Sequence, residues 1–266
     1  MILNVTIAVL ALCVGTMMGI LGGGGSIMAV PIFVYLCHVP AKLAIASSLL
    51  VVGLTAAIGA VPHYRSHNVD FSRAFVFALL SSAGAYAGTR LSTYLTGDVQ
   101  LVLFALVMSG AAYFMLRPIQ SAAPAISTAQ SRMRLVVPAI AVGCITGLVG
   151  VGGGFMIVPV LTLLMGMEMR RAVGTSLVVI ALNSGVGAGG YAMQSEIGIQ
   201  YTATTVGSMT MTEFLLFFMV CTLVGVLMGA RFSSRVSEQA LKRSFGLFLV
   251  VVAGSIIIQK IVAPTP

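Results

Sequence analysis

Charge is the scarcest property of this sequence. Of its 266 residues 8% are charged and 59% are hydrophobic, with a mean hydropathy of +1.09. A soluble domain carries about 25% charged residues, so a soluble globular protein is excluded and a polytopic membrane protein is implied. Acidic residues number six: Asp70, Asp98, Glu168, Glu196, Glu213 and Glu238. All fall in loops or at helix ends, and none sits mid-helix, where a proton-relay carboxylate is expected. The four cysteines, Cys13, Cys37, Cys144 and Cys221, are isolated in apolar stretches. No pair has metal or disulfide spacing, so they read as small core residues. His-Glu zinc motifs, carboxylate pairs and nucleophile elbows are missing as well. The expectation is therefore no enzyme, no metal and no cofactor. His38, His63 and His67 lie near loops and are predicted at the surface. No Lys or Arg precedes the apolar Met1 to Leu12, which reads as a first membrane segment and not as a cleaved signal.

What the chain does have is a net charge of +8 and an unusual distribution of glycine. In a soluble protein that charge would suggest nucleic acid. Here the basic residues lie between apolar runs, so they anchor loops at the membrane surface, and no nucleic-acid partner is expected. The runs fall at about 5–37, 42–62, 72–95 and 99–116, then at 135–167, 170–193, 211–232 and 241–262. A spanning helix needs about 20 residues. The first run of each half is too long for one crossing, and glycines cut it. Gly22-Gly23-Gly24-Gly25 and Gly150-Val151-Gly152-Gly153-Gly154 are each followed by a matching Met, Val and Pro. Gly19 to Pro31 aligns with Gly147 to Pro159 at seven identities in thirteen positions. Lys42 matches Arg170, Ser47-Ser48 matches Thr175-Ser176, and Gly84, Gly88, Arg90 and Ser92 match Gly225, Gly229, Arg231 and Ser233. The offset grows from 128 to 141, placing about 13 extra residues between Tyr191 and Glu213. This is a duplication: repeat 1 over 1–116, a Pro-, Ser- and Gln-rich cytoplasmic linker over 117–134, and repeat 2 over 135–266.

Counting Lys and Arg separates two orientations. If each cut run crosses once, the two faces hold six and eight basic residues. If each is a hairpin that returns to its own side, eleven share one face and only Lys42, Arg90 and Lys260 oppose them. The second is a strong positive-inside bias. It also makes the repeats inverted, a common transporter plan, with both termini outside. The predicted fold is an all-α integral membrane protein of two inverted repeats. Each is a glycine-broken helical hairpin plus three transmembrane helices.

Broken helices at membrane depth survive only when buried in protein or lining a polar cavity. Glycine lets backbone N–H groups approach a ligand, and helix N-termini add a partial positive charge. Gly22, Gly23, Gly24, Gly25, Ser26, Gly150, Gly152, Gly153 and Gly154 are therefore the candidate binding residues, for a small anion. Pro31 and Pro159 suit the first turn after an unwound stretch. Ser47, Ser48, Thr175, Ser176 and Asn183 either complete a polar cavity or bond back to their own helices. Gly84, Gly88, Gly225 and Gly229 read as packing ridges, and Arg90 and Arg231 as interface anchors. The run Gly150 to Gly154 lacks the Lys-Ser/Thr of a nucleotide loop.

On Gly19-Ile-Leu-Gly-Gly-Gly-Gly to Pro31, Gly147-Leu-Val-Gly-Val-Gly-Gly-Gly to Pro159, Val69-Asp70-Phe71 and Gly225-Val-Leu-Met-Gly-Ala-Arg231, the chain resembles the TauE/SafE family. These are transporters of sulfite and organosulfonates, also called the toluene sulfonate uptake permease family. The resemblance covers nearly the whole chain. It implies a multi-pass protein of a bacterial or archaeal inner (cytoplasmic) membrane, about eight helices, and sulfite, sulfoacetate or related anions as substrates. An anion leaving an inside-negative cell gains about 2.3 kcal/mol per charge per 100 mV, so export needs no coupled proton. The expected function is export of a small sulfur-containing anion, with that anion and the lipid bilayer as partners. Ion-coupled uptake of another small anion and a non-transporting membrane partner protein stay open, as does a homo-oligomer.

Overall fold

The computed structural model describes residues 2–116, 128–150, 153–163, 165–232, 250 and 254; Gly152 and nearly all of the last apolar run lie outside them. The described chain is helical almost throughout, as lipid demands when it offers backbone groups no partner. Helix α1 spans Ile2–Leu21. A 3-10 segment, Gly22–Met28, follows, then a single turn α2, Ala29–Pro31, which passes into a π-helix over Ile32–Leu36. After it come α3 Ala41–Arg65, α4 Phe71–Leu91, α5 Gly97–Leu116, α6 Thr128–Val149, α7 Gly154–Leu163 and α8 Met169–Ala192. Four apolar stretches among the described residues are long enough to cross a bilayer: Leu3–Leu36, Ala41–Arg65, Met169–Ala192 and Met211–Phe232. Gly97–Gly110 and Val136–Val149 are shorter apolar helices.

The extra residues of the second half form α9 Ser195–Ala203 and a two-stranded antiparallel ribbon, β1 Thr205–Val206 with β2 Met209–Thr210. Helix α10, Met211–Phe232, begins directly after it. Gly207, at φ +62, makes the turn. The Glu213 carboxylate accepts from the Thr210 N–H at 2.8 Å and so covers a free amide at the start of α10. Asp70 does the same for α4, accepting from Arg73 N–H at 3.1 Å. Both acids sit at helix ends, where the sequence places them.

Helix partners are exchanged between the halves. Gly15 and Gly19 of α1 lie against Thr222 and Val226 of α10, and Gly225 and Gly229 lie against Leu12 and Thr16 in return. In the same way, Gly143 and Gly147 of α6 lie against Ser81 and Ala85 of α4, with Gly84 and Gly88 packed on Ile140 and Cys144. In each pair both chains advance together, so α1 runs parallel to α10 and α6 parallel to α4. The glycines of 84–88 and 225–229 are thus packing ridges, as expected. Between these pairs α3 and α8 cross antiparallel, Gly53 meeting Ser184 and Gly59 meeting Leu177. Thr55 of α3 pairs with Thr222 of α10, and Asn183 of α8 with Ser81 of α4. Consequently α1, α3 and α10 share one direction, and α4, α6 and α8 the other.

Both glycine-cut runs double back. Gly22 and Gly150 take positive φ of 70° and 78°. Beyond the first turn, Gly25 lies against Val14 and Met18 of α1, seven and eleven residues earlier in the chain. Phe33 then stacks edge-on with Phe214 and Phe218, at 5.2 and 4.9 Å, near the start of α10. The chain is retreating along the helix pair it came up. Beyond the second turn, Gly153 lies against Thr146 and Val142 of α6 in the same relation.

Candidate functional site

The two breaks meet inside the protein. Gly22 to Met28 are all buried, and a Cβ on Gly23 would fall on the Cα of Gly154, as would the reverse. Backbone meets backbone there, under the Cδ1 of Ile180. Only glycine permits this approach. The first break is not unwound: Gly22–Met28 is a 3-10 helix, and the Ser26 hydroxyl ties it by donating to Gly23 O at 2.6 Å. The second proceeds to α7, whose first turn is closed by Met156 and Ile157 N–H bonds to Gly153 O at 2.9 and 3.0 Å. Pro31 sits in the first turn after its break, as the sequence suggests, and Pro159 does not. Pro31 ends a one-turn helix after the 3-10 segment, and Pro159 falls in the second turn of α7. The reason is that glycine, not proline, carries both reversals.

Each turn docks on the other half. Gly22 faces the Val173 carbonyl and the Ser176 hydroxyl of α8; Gly150 faces Ile45 of α3. The Ser48 hydroxyl lies 2.7 Å from Gly150 O and 2.8 Å from Ile45 O. Ser176 donates to Val173 O at 2.8 Å. Val173 and Ser176 are the 128-offset counterparts of Ile45 and Ser48, so the same contact is made twice, crosswise. Both serines thus bond back to their own helices, and Ser48 also clasps the opposite break.

The carbonyls that end α1 and α6 need partners, since a helix leaves its last four unbonded. His63 Nε2 lies 3.3 Å from Gly19 O. Its counterpart Tyr191 donates to Leu148 O at 3.3 Å, joined by Gln100 Nε2 at 3.2 Å. His63 is only 6% exposed, which corrects its expected surface position: a carbonyl at a helix break holds it inside. His38 and His67 are exposed, as expected.

Of the other predicted site residues, Ser47 is buried early in α3. Thr175 is drawn away from the breaks: its hydroxyl accepts from the Asp70 N–H at 3.0 Å. Asp70 lies within 3.6 Å of Arg73 and 3.9 Å of Arg171. Asn183, fully buried, takes the Ser81 and Ser82 hydroxyls at 2.9 and 3.0 Å on its Oδ1. It lies one helical turn beyond Ile180. Gly24 is buried with its neighbours, and Gly152 lies outside the described residues. Sequence reading misses Ser81, Ser82, Thr55, Thr222, Gln100 and Tyr191. A signal was present: Thr55 and Asn183 match at an offset of 128, and Ser81 and Thr222 at 141, so polar residues recur at equivalent depths in both halves. Arg90 lies 5.6 Å over the Tyr86 ring and exposed, in keeping with an interface anchor.

Residues 7–256 match the family model described as "Sulfite exporter TauE/SafE". A "Probable membrane transporter protein" of Xylella fastidiosa is 31% identical over 245 residues, covering 90% of this chain and 89% of its own. The Bacillus subtilis "Probable membrane transporter protein YdhB" is 26% identical over 237 residues, covering 88% and 91%. A similarly named protein of Methanocaldococcus jannaschii is 26% identical over 186 residues, covering 66% and 68%. No solved structure matches the chain.

Proposed function

The chain belongs to the TauE/SafE family of multi-pass membrane transporters, and on that premise we propose that it exports a small sulfur-containing anion from the cytoplasm. Sulfite, sulfoacetate and related organosulfonates are the substrate class, and the inner (cytoplasmic) membrane is the location. The halves act as inverted repeats whose glycine-cut hairpins enter from opposite faces. The observation that carries this reading is the meeting of the two breaks: Gly23 against Gly154, each turn docked on the opposite half. Opposed helix directions and the crosswise Ser48–Gly150 and Ser176–Gly22 contacts support the inversion.

With backbones touching, the breaks leave no space for a solute between them, so this arrangement is the closed form of the pathway. Parting them would uncover the first amides of α7, which have no partner within their own helix and carry the positive end of its dipole. Those amides are the donors for the anion. The membrane potential supplies about 2.3 kcal/mol per charge per 100 mV for outward movement.

Proteoliposomes loaded with 35S-sulfite or labelled sulfoacetate test this. Saturable efflux under a potential negative inside, with no pH gradient, is expected. Folded protein that moves neither probe overturns the substrate class, and strictly proton-driven uptake overturns the direction. His63 gives that second outcome a structural basis, because a buried titratable ring touches the end of α1 just before the break. If uptake is the result, a His63→Gln variant should lose its dependence on pH.

A further inference from the structure

A groove of about 290 Å³ opens on the outer surface where the end of α3 and the start of α4 meet α8. Ala57, Ala60 and Ala181 hollow it, and the exposed side chains of Val61 and Leu182 flank them. Its mouth is formed by Tyr64 and Phe71, two exposed rings packed edge-on at 5.4 Å. Tyrosine, apolar in body and polar at its tip, belongs at the level of lipid headgroups. Beyond the mouth lies charge. Arg65 follows Tyr64, Arg73 stands two residues past Phe71, and Arg170 and Arg171 lie in the first turn of α8. All four are exposed. Packing gathers them at one end of the molecule. Gly174 lies against Asn68, the Asp70 N–H donates to Thr175, and the Asp70 carboxylate stands 3.6 Å from Arg73 and 3.9 Å from Arg171. With Asp70 and Glu168 set against four arginines, the rim keeps an excess of two positive charges. From Arg171 to Leu182 the helix climbs about 16 Å at 1.5 Å per residue. That is close to one leaflet's share of a hydrocarbon core about 30 Å thick.

Bulk lipid covers any apolar face of a spanning helix and needs neither a hollow nor a charged rim. The equivalent place in the other half has no aromatic mouth and no arginines. Ala192 and Met193 stand there for Tyr64 and Arg65, Thr212 and Phe214 for Phe71 and Arg73, and Lys42 and Leu43 for Arg170 and Arg171. In that half α5 seats at Ala41, Leu148 and Tyr191. The face equivalent to the groove, at Gly185, Gly189 and Ala192, stays exposed beside it, so the repeat plan itself supplies no helix to fill the hollow. We infer that the groove holds an anionic phospholipid of the cytoplasmic leaflet, with an acyl chain along α3 and α8 and its phosphate on the arginines. Guanidinium forks match phosphate oxygens with two N–H bonds at once, and basic pockets beside spanning helices select anionic headgroups. Helices α3 and α8 also carry Ser48 and Ser176 against the two glycine breaks, so the lipid braces the crossing on which both breaks dock. The inference goes beyond the transport reading and does not depend on which solute is moved.

Native mass spectrometry of the purified full chain tests it, with phosphatidylglycerol and phosphatidylcholine of identical acyl chains offered in competition. Wild-type protein should retain phosphatidylglycerol with a preference on the order of tenfold. Arg65→Gln combined with Arg170→Gln should bring the two lipids close to parity while the melting temperature in phosphatidylcholine stays level. Ala57→Leu combined with Ala181→Leu fills the hollow and should reduce retention of both lipids. Lys42→Gln combined with Arg90→Gln, at the opposite end of the molecule, should leave the preference as it is in wild type. Equal retention of the two lipids by wild-type protein overturns the site, as does a preference that survives both the rim and the groove variants. A dimer that excludes lipid and is lost on filling the hollow overturns it too, by giving the groove to a second copy of the chain.

Discussion

Gly22 and Gly150 occupy equivalent places in the two halves, and each is held at a φ that side chains avoid, 70° and 78°. An L-residue there costs about 1–2 kcal/mol from the backbone alone. Space is short as well, since a Cβ on Gly22 would press on the Ser176 hydroxyl and the Val173 carbonyl. Gly22→Ala should therefore lower the melting temperature of the detergent-solubilised protein by several degrees. Gly185→Ala makes the contrast: its Cβ would meet nothing within 4 Å, and alanine is the better helix former. Its melting temperature should hold or rise. Equal losses from both variants would show that general glycine flexibility, not the turn, is what matters. Composition marks both positions as glycine and cannot tell them apart. The difference lies in backbone angle and neighbours, which a residue type does not carry.

Among the elements, the strongest constraint is the pair of parallel glycine-lined crossings, α1 on α10 and α4 on α6. Without a hydrophobic drive between helices in lipid, close backbone approach supplies van der Waals contact and holds them together. Gly88 and Gly229 hold matching places, one against the Cys144 carbonyl, the other against the Thr16 carbonyl. Gly88→Val and Gly229→Val should each lower the melting temperature, and by similar amounts. Gly110→Val on α5, where a Cβ would touch nothing within 4 Å, should leave it in place. A marked difference between the first two would mean that the crossings are unequal supports. The spacing of these glycines was legible as a packing ridge. Their partners were not, because a ridge of small residues fits any other such ridge. The 3-10 form of Gly22–Met28 was equally hidden: four glycines allow many backbones, and burial against α1 selects one.

For the whole molecule, the exchange of partners has a consequence for sidedness. Helices α3 and α8 run antiparallel, so the segment before α3, with Pro40, and the segment before α8, with Glu168, fall at opposite ends. In a variant with the four native cysteines replaced, Pro40→Cys should react with a membrane-impermeant maleimide added outside intact cells. Glu168→Cys should react only after the cells are opened. Labelling of both from one side would remove the inverted arrangement, and with it the meeting of two hairpins from opposite leaflets. The basic residues already tilt the sequence toward this sidedness, since the hairpin count sets eleven against three.

By itself the sequence determined the membrane-spanning character, the matching glycine segments of the two halves and the positions of both helix breaks. Those follow from local rules: lipid dictates apolar runs of a given length, and glycine runs cannot hold a helix against it. Only the tertiary structure decided that α1 pairs with α10 across the halves, that His63 turns inward to a helix end, and that Asn183 meets Ser81 and Ser82 while Thr55 meets Thr222. The last contacts join residues 101 to 167 positions apart. Which hydroxyl finds a partner at that distance, and which buried atom is left without one, depends on how whole helices cross, and no local pattern encodes that.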